Sequence, residues 1–248
     1  MAANNSPFDC VLLDLDDTLY PGNTGIGPAL KLNIDEFLVA KLGVTDEESR
    51  RHARQALPVA RQHPRRPHRK FSSHSRTMRL ALGYDVHPDE YHSYVHGRLP
   101  YDRIAADPQV VQLLKHPQRK VLFTNSDRAH MKRALERLGV DDDIFNDIVC
   151  FKTMNPHLFG EERVNGDVAG ERPLFLDDSE RNITAGKALG LRTALVGKGV
   201  RSKDADYAME SIGSLRQVIP EIWGAVDVEK KGIRSELDSF PHPTTIQV

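Results

Sequence analysis

Three short stretches concentrate side-chain oxygens. Asp14-Leu15-Asp16-Asp17-Thr18, Thr124-Asn125-Ser126 and Asp177-Asp178-Ser179 each follow directly on an apolar run. Carboxylates packed this closely repel one another, so a cation is expected among them. Oxygen ligands without Cys or His favour Mg²⁺, which keeps waters and accepts a phosphate oxygen. A carboxylate can also attack phosphorus and form an aspartyl-phosphate. Two residues further along an extended chain, a second carboxylate points to the same side. From there it can protonate a leaving alcohol and then activate water. Thr124 and Asn125 offer a hydroxyl and amides for phosphate oxygens. Any one of these motifs alone reads as an ordinary loop or N-cap acid. The three in this order, each behind an apolar run, read as one site.

Such a site needs strands that end together. Val11-Leu12-Leu13 leads into Asp14, Val121-Leu122-Phe123 into Thr124, and Leu174-Phe175-Leu176 into Asp177. Ile148-Val149-Cys150-Phe151 and Ala194-Leu195-Val196 are two further runs. Short continuous apolar runs are what strands covered on both faces look like. Helical patterns lie between them, from Ala129 to Leu138 before Gly139, and from Arg181 to Leu189 before Gly190. Ser179 is a suitable N-cap for the second. A third pattern, Ser214 to Trp223, is interrupted by Pro220. The alternation predicts a Rossmann-like parallel α/β sheet, whose ligands bind at the carboxyl ends of the strands.

Residues 20–107 interrupt that alternation. Helical periodicity at Leu30 to Leu42 and at Asp89 to His96 predicts an α-helical cap inserted after strand 1. Residues 8–19 and 108–224 then form the core. Residues 225–248 are polar, hold two prolines and predict a disordered tail.

Composition narrows the class. The chain has 248 residues, 39% hydrophobic and 28% charged, enough for a real core. No run approaches 18 apolar residues, and the first ten residues lack the pattern of a signal peptide. Cys10 and Cys150 sit in apolar runs, which suits buried thiols and a cytoplasmic location. The net charge of −1 hides two unlike parts. Residues 50–79 hold ten Lys and Arg and no acid, so they carry +10 against −11 elsewhere.

The motifs DLDDTLYPG, YHSYVHGRLPYDRI, FTNSDRAH and FLDDSERNITAGKALG, in this order, resemble the haloacid dehalogenase superfamily. Within it they look like the pyrimidine 5′-nucleotidase branch, in its plant-like form. The resemblance covers about residues 8–49 and 76–224. It implies Mg²⁺-dependent hydrolysis of a phosphomonoester such as a nucleoside 5′-monophosphate. Composition gives no membrane partner, and nucleic acid is not the expected one. Asp14 would be the nucleophile and a metal ligand. Asp16 would be the general acid/base, its backbone carbonyl also on the metal. Thr124 would bind the phosphoryl group, and Asp178 would be the second carboxylate on Mg²⁺, with Asp177 assisting. The implied sheet order, 5-4-1-2-3, makes strands 1 and 4 neighbours. Apart from the resemblance, Arg98 has two readings: it meets substrate from the cap, or it forms a cap-to-core salt bridge.

Two departures stand out. The family carries a lysine before strand 4, and Pro156 to Arg172 contains none. Lys152, Arg163, Arg172 and Lys198 are the cations that could stand in. The shortened crossover leaves little room for a helix, so one sheet face is expected to lose cover. A catalytically impaired homologue with a binding or regulatory role is the alternative. The basic segment 50–76 is the second departure, open to three readings: a cap loop, a nucleic-acid or nuclear signal on RRPHRK, or a splice or reading-frame variant. His92 and His96 stand four apart, as in some zinc sites, with no third ligand evident. Tyr91 and Tyr94 read as packing residues. No oligomeric state is legible.

Overall fold

The computed structural model describes residues 6–43, 45, 86–159, 171–200 and 202–224. Segment 50–76 and the 225–248 tail lie outside the described residues. Six strands, β1 (Cys10–Leu13), β2 (Arg119–Phe123), β3 (Asp147–Val149), β4 (Pro173–Asp177), β5 (Arg192–Val196) and β6 (Tyr207–Met209), form one sheet. Every pair is parallel, in the order β3-β2-β1-β4-β5-β6. The expected five-strand order is contained in it. β6 adds an edge strand that no apolar run announces, being three residues between Asp206 and Glu210. β3 is shorter than its apolar run, because Cys150 caps a new helix and the Phe151 N–H donates to the Ser126 carbonyl.

The helices are α1 (Ile26–Leu42), α2 (Pro88–His96), α3 (Pro108–Leu113), α4 (Arg128–Leu138), α5 (Phe151–Met154), α6 (Glu180–Ala188) and α7 (Leu215–Val218). Local chemistry sets their ends. Asp127 caps α4 by accepting the His130 N–H at 2.8 Å, and Gly139 closes it at φ 72°. Met131, Ala134, Leu135 and Leu138 of α4 are buried at helical spacing. They pack on Leu13, Leu122 and Leu176, which cross-strand register places on one sheet face. On the other face, α6 covers Phe175 and Leu195 through Ile183. Gly186 lets it approach: a Cβ there would stand 2.8 Å from the Phe175 ring. Towards β3 the same face thins, and Leu12, Phe123 and Val149 are half-buried. Of the Pro156-to-Arg172 crossover, which is expected to leave one sheet face short of cover, residues 160–170 lie outside the described residues.

α1 and α2 pack on each other through Phe37, Leu38, Tyr91 and Val95. Phe37 meets both Tyr91 and Tyr94 edge-on at 5.3 Å. Both tyrosines are therefore packing residues. Among the described residues, no helix is long and apolar enough to cross a membrane.

Candidate active site

The carboxyl ends of β1, β2 and β4 converge. Register pairs Leu13 with Leu176, so Asp14 and Asp177 emerge side by side. The Asp14 N–H extends the ladder by donating to the Leu176 carbonyl at 3.0 Å. One carboxylate oxygen from each of Asp14, Asp177 and Asp178 lies within 4.8 Å of the other two. Asp14 is buried, and its Oδ2 accepts the Thr18 hydroxyl at 3.1 Å. Burial, and then the charges of Asp177, Asp16 and Asp178, hold its carboxyl well above the usual range. Asp177 is 1% exposed and anchored by the Ser179 N–H at 2.8 Å and the Asn182 amide at 2.9 Å. Burial pushes it up to about 7. Asp178 is pushed up to about 6 by burial and by Asp17. Two buried acids and a half-buried one, all with raised proton affinity, form a cradle that wants positive charge. Their all-oxygen donor set fits Mg²⁺.

Asp16 stands apart from this cluster. Asp17 takes a left-handed φ of 58° and turns the chain just after it. Asp16 Oδ1 accepts the Tyr20 hydroxyl at 2.5 Å and lies 2.6 Å from His130 Nε2. Its Oδ2 accepts the Ser126 hydroxyl at 2.6 Å. Burial opposes its charge, but His130, Ser126 and Tyr20 outweigh it and hold the carboxyl below the usual range. Its side chain keeps 32% of its surface open, so one edge stays accessible to solvent. His130 is 2% exposed, and burial lowers its proton affinity. Asp16 more than reverses that, so the imidazole binds its proton more tightly than usual. Tyr101 fixes the far side of the ring, its hydroxyl 2.7 Å from Nδ1.

β2 contributes the remaining residues. Thr124 is completely buried, and its Oγ1 accepts the Ser126 N–H at 3.1 Å. Its hydroxyl proton is left to donate. Asn125 is half-buried, and its Oδ1 has no hydrogen-bond partner among the described residues. The fold thus brings Asp14, Asp16, Thr124, Asn125, Asp177 and Asp178 to one end of the sheet.

No protein-family model matches the chain. The chain is similar to CbbY from Rhodobacter sphaeroides in complex with phosphate, at 18% identity and a TM-score of 0.53. The match covers 84% of this chain and 96% of that one. It is similar also to a HAD phosphatase from Thermococcus onnurineus, at 17% identity and a TM-score of 0.50, with 84% and 96% covered. The fold is that of the haloacid dehalogenase-like hydrolases. At these identities the likeness is one of fold.

The fold places three of the four cations that could stand in for the lysine implied by the sequence resemblance. Arg172 is not a substitute. It precedes β4, about 16 Å of extended chain from Asp177, and it grips Asp9 through Nε at 2.9 Å and Nη2 at 2.7 Å. Lys152 lies over the Phe159 ring at 5.5 Å. Lys198 follows β5 at the correct edge, where its charge lowers the Asp178 carboxyl, and it pairs with Glu180 at 2.9 Å. Arg163 lies outside the described residues. Arg98 is held on the helical pair, 2.6 Å from Glu36 and over the Tyr94 ring at 5.0 Å.

Sequence reasoning missed His130, Ser126 and Tyr20, the three donors on Asp16. A signal existed for His130. It is the third helical residue after its N-cap Asp127, and that position faces back towards the strand end.

Proposed function

We propose that the chain is a Mg²⁺-dependent phosphomonoester hydrolase that works through an aspartyl-phosphate on Asp14. The observation that carries this reading is the division of labour among the acids. Asp14, Asp177 and Asp178 crowd together with raised proton affinity, while Asp16, two residues on, is held charged by a separate set of donors. Mg²⁺ would be held by Asp14, the Asp16 carbonyl and Asp178, with Asp177 behind them, and would supply charge to keep Asp14 ionised and a phosphate oxygen in place.

Asp14 attacks phosphorus, and the bond from phosphorus to the ester oxygen breaks. The leaving oxygen needs a proton. His130 holds one 2.6 Å from Asp16 Oδ1, so its transfer makes Asp16 the acid that the leaving group meets. In the second step Asp16 takes a proton from water, the water oxygen bonds to phosphorus, and Asp14 is released. Thr124 and Asn125 donate to the phosphoryl oxygens. The phosphate complex of the similar R. sphaeroides protein supports a phosphate ligand at this fold. The resemblance to pyrimidine 5′-nucleotidases makes UMP and CMP the first substrates to try.

A second reading has its own support. Lys198, the cation at the correct edge, is paired with Glu180. A chain without a lysine on its nucleophile could bind phosphate esters and fail to turn them over. Phosphate release from UMP, CMP and an aryl phosphate, with and without Mg²⁺, separates the two. Turnover that needs Mg²⁺ and disappears in Asp14→Asn is expected. Binding of UMP without turnover would select the second reading.

A further inference from the structure

We propose that His92, His96 and Asp127 form a binding site for a single Zn²⁺ ion, separate from the acid cluster. His92 and His96 are one turn apart on α2 and share a face. Asp127 is the N-cap of α4, on the sheet side. Its Oδ1 is committed to the His130 N–H, which leaves Oδ2 directed at α2. His96 Nδ1 lies 2.5 Å from that oxygen and His92 Nδ1 lies 3.5 Å from it. One donor atom from each residue falls within 4.8 Å of the other two.

His92 supplies the independent observation. It is 5% exposed, and neither of its ring nitrogens makes a hydrogen bond. Its ring is walled by Phe151 at 4.7 Å and Tyr91 at 5.3 Å. A buried imidazole with both nitrogens idle is unusual, because desolvation without a partner is costly. Its Nδ1 faces the one carboxylate oxygen that also receives His96. A metal would use that nitrogen and satisfy all three groups together.

The donor set selects the ion. Two imidazoles and one carboxylate suit Zn²⁺ and leave a coordination position open, whereas Mg²⁺ takes oxygen ligands. The ion would tie α2 to the start of α4. The His96 ring is 4.7 Å from that of His130, the residue that holds Asp16. Occupancy would therefore fix the helical pair against the strand ends one ring away from the general acid.

The test uses the full chain, stripped with a chelator and titrated calorimetrically with Zn²⁺ in excess Mg²⁺. One equivalent should bind, and Co²⁺ in its place should give the visible absorption of a low-coordinate site. His92→Gln removes no hydrogen bond from the fold and should weaken Zn²⁺ binding at least tenfold. Asp14→Asn should leave it unchanged. The chain has 11 histidines, so adventitious binding is a real competitor. Equal affinity in wild type and His92→Gln would overturn the site, as would loss of Zn²⁺ in Asp14→Asn. Absence of binding by the wild-type chain would overturn it without reference to any variant.

Discussion

Asp16 and His130 meet at 2.6 Å across 114 residues of sequence, and each moves the other's proton affinity towards the charged pair. The pair joins the loop after β1 to the first turn of α4. It is both a structural tie and a proton store.

Its contribution to stability should have a window. Asp16 has a depressed folded pKa, so its contribution is present above about pH 4 and fades as pH falls through that depressed value. His130 has a raised one, so its contribution is complete below about pH 6.5 and is lost as pH rises through the raised value. His130→Gln should therefore cost most near pH 5–6, about 1–3 kcal/mol given that Asp16 is partly open to solvent. Urea unfolding of both proteins at pH 5.5 and pH 9 measures it. A cost that is the same at both pH values would contradict the ion pair.

The acid cluster predicts the opposite behaviour. Asp177 at about 7 and Asp178 at about 6 hold protons in the folded state that the unfolded chain has already released. Without a cation, their contribution to stability should fall as pH rises from about 4 to 7. Mg²⁺ should then raise the melting temperature at pH 7.5 and have little effect at pH 5, where protons occupy the same oxygens. Calorimetric scans with and without Mg²⁺ at the two pH values read this directly.

Asp14→Asn should stabilise the cation-free chain at pH 7.5. It removes one buried like charge and keeps an oxygen for the Thr18 hydroxyl. Urea unfolding of both proteins in cation-free buffer reads the gain. The same variant should lose the Mg²⁺ response and all turnover. Destabilisation in cation-free buffer would mean that Asp14 is not strained by its neighbours.

Arg172→Gln should leave turnover within about twofold of wild type and change stability little, as for an exposed ion pair. Its partner is Asp9, at the opposite end of the sheet from the acids. A tenfold fall in kcat at unchanged stability would reinstate it as the missing cation.

Gly186→Ala tests how closely α6 sits on β4. Helix propensity favours alanine by up to about 1 kcal/mol. The new Cβ would stand 2.8 Å from a Phe175 ring that is itself 1% exposed, and overpacking costs about 1–3 kcal/mol. The clash should win, and Phe175→Leu in the same chain should recover part of the loss. Thermal melts of the single and double variants decide it.

Much of the sheet was legible because each central strand is apolar on both faces and ends abruptly in polar chemistry. Asp14, Thr124 and Asp177 could be read as strand-end residues for that reason. β6 could not, since Tyr207-Ala208-Met209 is an edge strand flanked by acids and carries no such run. The partners of Asp16 were hidden for a different reason. Ser126 and His130 reach it through the placement of α4, which periodicity predicts as a helix without fixing its distance from β1. Asp127 was missed as a companion to His92 and His96 because it lies 31 residues beyond His96, on another element.

The position of β1 has a consequence for biosynthesis. It pairs with Arg119 on one side and Pro173 on the other, 109 and 163 residues later than Cys10. At ribosomal speeds both edges of this apolar strand stay unpaired for on the order of ten seconds. Slow-translating codons before Arg119 should prolong that exposure and lower the soluble yield, even though the finished protein is identical.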